Sequence, residues 1–279
     1  MKGRNIRVIL VSGSPVFTMD PLTLTELERR MLRAKQNSQV VYRYPSVDAL
    51  EFELKMRTHI VEAAKALYAS GVSFATFEGS KCNEEYWTRT ENGGFQLRGG
   101  VLPSVGINDI FENGHLYGFE CAGAIIIILY KAVLDTVGDA VFNAYFKNLF
   151  LRSWQYDRDL NLITTYNKNE AYPGDVLYFK NPENDPETPE WQGENVIMLD
   201  TDLYFGHGIG IESGQEIINA LNRMRKENST ISAYLQDLVV HPDFEYLRGL
   251  SMRDAWWEER SATEEIGIAG RIGSGTIRY

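Results

Sequence analysis

A chain of 279 residues, 44% of them hydrophobic, fits one domain with a proper core. Its net charge of −10, with no Lys/Arg cluster longer than Arg29-Arg30, argues against nucleic-acid binding. Two cysteines cannot build a multi-disulfide framework, the longest apolar run is too short to span a bilayer, and no secretory leader follows Met1, so synthesis in the cytoplasm without a signal peptide is expected.

An extended start at Ile6 to Ser12 precedes Asp20-Pro21, a cap and first-turn proline that predict a helix to about Lys35. Ser46 caps a second helix, with Leu50, Leu54, Val61 and Ala64 along one face and Gly71 at its end. Val72 to Phe77 reads as a strand, and Tyr86 to Leu97 as a hairpin turning at Asn92-Gly93-Gly94. A helix is expected from Cys121 to about Val137, then another from Ala140 to Leu149 after the break at Gly138-Asp139. Leu151 to Tyr156 reads as a strand. Pro173-Gly174-Asp175 turns into a strand at Val176 to Phe179, followed by the polar loop Asn181 to Glu190. Strands at Asn195 to Leu199 and Leu203 to Ile211 flank the turn Asp200-Thr201-Asp202. Ser213 and Glu216 form a capping box for a helix to about Lys226, and Tyr234 to Leu250 is expected to be helical with an interruption at Pro242. Residues 258–279, rich in charge and glycine, read as a mobile tail. The order gives one α+β domain over 1–279, its core about 44–250, with a sheet built after the Cys121 helix and packed against it.

Cys121 is the leading candidate nucleophile. It opens an apolar helix, where unpaired amides and the macrodipole favour the thiolate. The competing reading is a small buried hydrophobe. A cysteine nucleophile needs a base from elsewhere in the fold. Glu194, at the opening of a strand, and His207, flanked by Gly206 and Gly208, are the downstream candidates, against an exposed acid and a structural histidine as their plainer readings. His59, His115 and His241 make no pattern with metal-ligand spacing, so no metal or other cofactor is expected.

Phe119-Glu120-Cys121, Gly174-Asp175-Val176-Leu177-Tyr178-Phe179-Lys180-Asn181-Pro182, Trp191-Gln192-Gly193-Glu194-Asn195-Val196-Ile197 and Phe205-Gly206-His207-Gly208-Ile209-Gly210 are read together. In unbroken order, over roughly Tyr44 to Leu235, the chain resembles the spore-type protein-glutamine gamma-glutamyltransferases of bacilli, small calcium-independent transglutaminases with a papain-like core. The resemblance implies a Cys121–Glu194 dyad, with Glu120 as a substitute base and His207 nearby. It implies a substrate passage lined by Phe74, Trp154, Tyr178 and Trp191, against the plainer reading of these as core aromatics. It also implies protein substrates bearing glutamine and lysine side chains, a thioester intermediate and a spore-coat location. A carboxylate beside the thiol would raise its pKa, so Glu194 would act as a general base with its own pKa lifted by apolar neighbours such as Trp191. The Cys121 N–H is the natural oxyanion donor at the helix start, and the second donor is left unnamed. The alternatives are a cysteine amidase or peptidase of the same core and a non-catalytic coat protein.

Overall fold

The computed structural model describes residues 9–16, 24–253, 270–272 and 275–277. Six helices have defined bounds: α1 (Glu26–Asn37), α2 (Val47–Ala69), α3 (Pro103–Glu112), α4 (Cys121–Val137), α5 (Asp139–Tyr145) and α6 (Gly214–Arg223). Residues 244–253 add a further helical run. The main sheet has six strands: β1 (Leu162–Thr165), β2 (Val176–Lys180), β3 (Gly193–Asp200), β4 (Leu203–Gly206), β5 (Gly210–Glu212) and β6 (Tyr234–Pro242). Their order across the sheet is β5-β4-β3-β2-β6-β1, and every neighbouring pair is antiparallel. The chain is α+β.

Strand alternation divides the core into two layers. Val176, Ile197, Leu199 and Phe205 pack with α2 and α4 on one face. Leu177, Phe179, Val196 and Tyr204 pack on the other face with Ile217 and Leu221 of α6. Helix α4 is apolar all round and correspondingly buried, from Ala122 to Tyr130 and again over Ala132 to Leu134. It lies along α2, the other long helix of that layer.

The Pro-Gly-Asp turn is pressed against α2. Gly174 has φ +90, and a Cβ there would lie 2.9 Å from the Arg57 backbone, so only glycine fits. Asp175 thereby reaches Arg57 at 2.7 Å, Arg57 reaches Glu53 at 2.7 Å, and Glu53 holds Lys35 of α1 at 2.9 Å. This buried chain of alternating charge ties α1, α2 and the entry to β2 together. Breaking one partner of such a pair leaves an uncompensated charge and costs about 3–5 kcal/mol.

Several expectations need correction. α1 starts at Glu26 and is capped by Thr25, whose capping box with Glu28 satisfies the first turn, whereas Asp20 and Pro21 lie outside the described residues. The strand expected over Leu151 to Tyr156 is only Phe150–Leu151, because Ser153 takes the left-handed conformation (φ 48) and turns the chain. Leu203 to Ile211 breaks into β4 and β5, and His207 sits in the turn between them rather than inside a strand. Tyr234 to Pro242 is not helical. It is β6, paired with β2 on one side and β1 on the other. That lateral pairing outweighs the local apolar spacing, in keeping with the β-branched pair Val239-Val240. α3, with Pro103 in its first turn, was not anticipated. Of the tail expected over 258–279, residues 258–269, 273, 274, 278 and 279 lie outside the described residues. Gly270–Ile272 and Gly275–Ile277 pair with each other.

Candidate active site

Gly118–Phe119 pairs in parallel with Ser73–Phe74 and delivers the chain to the start of α4. Glu120 is the N-cap. Its carboxylate accepts from the Ala122 N–H at 2.7 Å and from the Gly123 N–H at 2.6 Å. Both oxygens of Glu120 are thus engaged in holding the first turn, a use of a carboxylate that the macrodipole rewards. Cys121 follows as the first helical residue, and its own N–H has no partner among the described residues.

Strand β3 supplies the residues facing the start of α4. Its register with β2 sets Phe179 opposite Glu194 and Tyr178 opposite Asn195. Successive side chains on a strand point to opposite faces, so Asn195 and Tyr178 share the face that carries α4. The Asn195 carboxamide nitrogen lies 3.6 Å from Cys121 Sγ. Phe74, Glu120, Cys121, Trp154, Tyr178 and Asn195 line a cavity of roughly 880 Å³, which extends over the sheet to Leu238 of β6 and Thr164 of β1.

Glu194 sits at the edge of this arrangement, 2% exposed. The Gly208 N–H donates to its Oε1 at 3.3 Å. A Cβ at Gly206 would lie 2.9 Å from Glu194 Cγ and Oε1, so the glycine leaves the volume that the side chain fills. A Cβ at Gly208 would touch Glu194 Oε2, Phe74 and Trp191 at 3.5 to 3.7 Å, which places the carboxylate beside the aromatic pair. Burial pushes its pKa up to about 8, helped by the charge of Glu120 and opposed by the Gly208 and His207 main-chain donors.

Burial pushes the Cys121 thiol up to about 12, and the carboxylates of Glu194 and Glu120 add to that rise. The side chain and the main-chain N–H of Asn195 pull in the opposite direction. The helix start does not make a thiolate here; burial and two acids keep the proton on sulfur. Glu120 is raised by burial and held back by the main-chain donors of Ala122, Gly123 and Ser153 and by a hydrogen bond from the Cys121 side chain.

His207 is partly buried, and desolvation depresses its pKa to about 4, so the ring is neutral. Its Nε2 lies 3.1 Å from the Phe119 carbonyl oxygen and the ring stacks on Phe119 with centroids 5.1 Å apart. It therefore braces the β4–β5 turn against the residue two before the nucleophile. Phe74, Trp154 and Tyr178 face the cavity, while Trp191 stands behind Phe74, stacked at 6.3 Å between centroids. Asn181, 2% exposed, donates to the carbonyls of Trp191 and Leu221 at 3.0 Å and fixes that segment. Asn195 and Asn181 are the polar residues that sequence reasoning missed as contributors. Asn195 stands in the motif beside Glu194, and only the strand register distinguishes the two faces. Among the described residues, no group of three His, Cys, Asp or Glu side chains converges as metal ligands, and no helix is long and apolar enough to cross a membrane.

Comparison with known proteins places the chain among its relatives. Residues 8–251 match the family model described as protein-glutamine gamma-glutamyltransferase. A protein-glutamine gamma-glutamyltransferase of Bacillus mycoides is 46% identical over 229 residues, covering 82% of this chain and 83% of the relative. One from Bacillus cereus has the same identity and coverage. Among solved structures, the transglutaminase of Geobacillus stearothermophilus without its C-terminal extension superposes with a TM-score of 0.71 at 50% identity, covering 74% of this chain and 98% of that one. The chain therefore belongs to the protein-glutamine gamma-glutamyltransferase family of acyltransferases.

Proposed function

We propose that this transglutaminase joins glutamine and lysine side chains of proteins through a Cys121 thioester, in the assembly of a spore coat. Cys121 attacks the glutamine carboxamide as Glu194 takes the thiol proton. Collapse of the adduct expels ammonia, which receives that proton. A lysine amine, deprotonated by Glu194, then opens the thioester and leaves an isopeptide bond. Glu120 holds the first turn of α4, and Phe74, Trp154 and Tyr178 keep water from the thioester. Trp191 supports Phe74 and His207 the turn beside the base.

The observation that carries this reading is the cysteine at the start of α4, opening onto a cavity of roughly 880 Å³ and close enough to the buried Glu194 carboxyl to feel its charge. A base whose pKa lies near neutrality is matched to moving a proton at working pH. The spore-coat setting rests on the likeness to the spore-type enzymes of bacilli.

The test is incorporation of a fluorescent primary amine into casein, followed together with ammonia release. Both are expected from the parent and neither from Cys121→Ala. Ammonia without incorporated amine would make the protein a hydrolase. Amine incorporation unchanged in Cys121→Ala would remove Cys121 as the nucleophile, and no incorporation or ammonia release from the parent would leave only a structural role.

A further inference from the structure

We propose that the Asn195 carboxamide is the second oxyanion donor of the active site, completing a pair with the Cys121 N–H. The inference rests on the acyl-transfer reading above. Attack on a glutamine carboxamide forms the S–C bond and moves the carbonyl π pair onto oxygen. That oxygen, one carbon removed from Sγ, carries a full negative charge and needs donors aimed at it. Collapse returns the pair to the carbonyl as the C–N bond breaks and ammonia leaves with the proton held by Glu194.

Three N–H groups stand around the sulfur: that of Cys121, and the main-chain and side-chain ones of Asn195, of which only the side chain can turn. At the start of α4 the Glu120 carboxylate takes the N–H groups of Ala122 and Gly123 and leaves that of Cys121. From the sheet, Asn195 Nδ2 stands 3.6 Å from Sγ. That is an ordinary length for a weak N–H···S hydrogen bond, so Nδ2 loses little in turning onto an anionic oxygen beside the sulfur, a stronger acceptor. The nitrogen is the end of the amide that faces the sulfur, and it is the end that can donate to an oxyanion. The position follows from the register, because the pairing of Tyr178 with Asn195 puts both side chains on the cavity face. Glu194, one residue earlier, points toward the space left by Gly206. Consecutive residues of one strand thus divide the work, an acid for the proton and an amide for the developing charge.

The experiment uses the full chain and its Asn195→Ala and Asn195→Asp variants. Three rates are compared at one pH: amine incorporation into casein, ammonia release, and alkylation of Cys121 by iodoacetamide, which forms no oxyanion. Both acyl-transfer rates are expected to fall about 10²- to 10³-fold through kcat, as for loss of one oxyanion donor, with KM nearly unchanged. Alkylation is expected to change no more than several-fold in Asn195→Ala. Asn195→Asp, similar in shape but without the donor, is expected to lose acyl transfer as well. Acyl transfer within several-fold of the parent in both variants would overturn the proposal. So would alkylation falling in parallel with acyl transfer, the mark of a merely structural role. Absence of all acyl transfer from the parent would instead sink the underlying functional reading.

Discussion

Replacing Glu194 with glutamine is expected to stabilise the protein while removing its activity. In the folded chain the Glu194 carboxyl keeps its proton to about pH 8, against an ordinary value of 4.5. Between those values the native state binds more protons than the unfolded state, so stability falls as pH rises. At about 1.4 kcal/mol per pH unit, the cost of ionising the buried group grows to roughly 4–5 kcal/mol by pH 8.5 and is under about 1 kcal/mol at pH 5. Glutamine retains an oxygen for the Gly208 N–H and has nothing to ionise. Urea unfolding of both proteins, followed by tryptophan fluorescence at pH 5 and pH 8.5, is expected to show the advantage of Glu194→Gln growing by about 4 kcal/mol between the two. A difference that stays constant within about 1 kcal/mol across that range would refute the account, because Glu194 would then be an ordinary solvated acid.

The same ionisation should govern rate. kcat/KM for amine incorporation is expected to rise about tenfold per pH unit below about pH 8 and to level off above it, and a flat profile between pH 6 and 8 would exclude Glu194 as the base. Glu194→Gln should lose more amine incorporation than Glu120→Gln, since Glu120 is occupied with two amides of α4, and comparable losses would mean the bases are wrongly assigned. Gly206→Ala places a methyl 2.9 Å from Glu194 Cγ and Oε1, so kcat/KM should drop at least about tenfold, with about 1–3 kcal/mol lost in urea unfolding. Activity should be unaffected by EDTA; loss on chelation that calcium restores would reveal a metal requirement.

Local features were the legible ones. Ser46, the Ser213–Glu216 box and the apolar run after Cys121 are each confined to a few neighbouring residues, and each marks a real helix start. The elements misread were those decided at a distance. β6 is a strand because β2 and β1 flank it, which no window around Tyr234 reports. The Leu203 to Ile211 run is apolar enough for one strand, yet the turn at His207 splits it. The site was legible in part for the same reason. Cys121 and Glu194 stand out by their motifs, but the pKa of the thiol depends on burial and on acids from two separate segments, and burial reversed the expected effect of the helix start. Asn195 stands in the same motif as Glu194, but its place beside the sulfur follows from which face of β3 meets α4, and the pairing with β2 decides that.

Keeping the proton on sulfur has a consequence for durability. Peroxide reacts with the anion and is reduced to water as the sulfur is oxidised to sulfenic and then to irreversible sulfinic acid. At neutral pH a thiol pushed up to about 12 offers it almost no anion. The idle molecule is thus sheltered from chemical ageing.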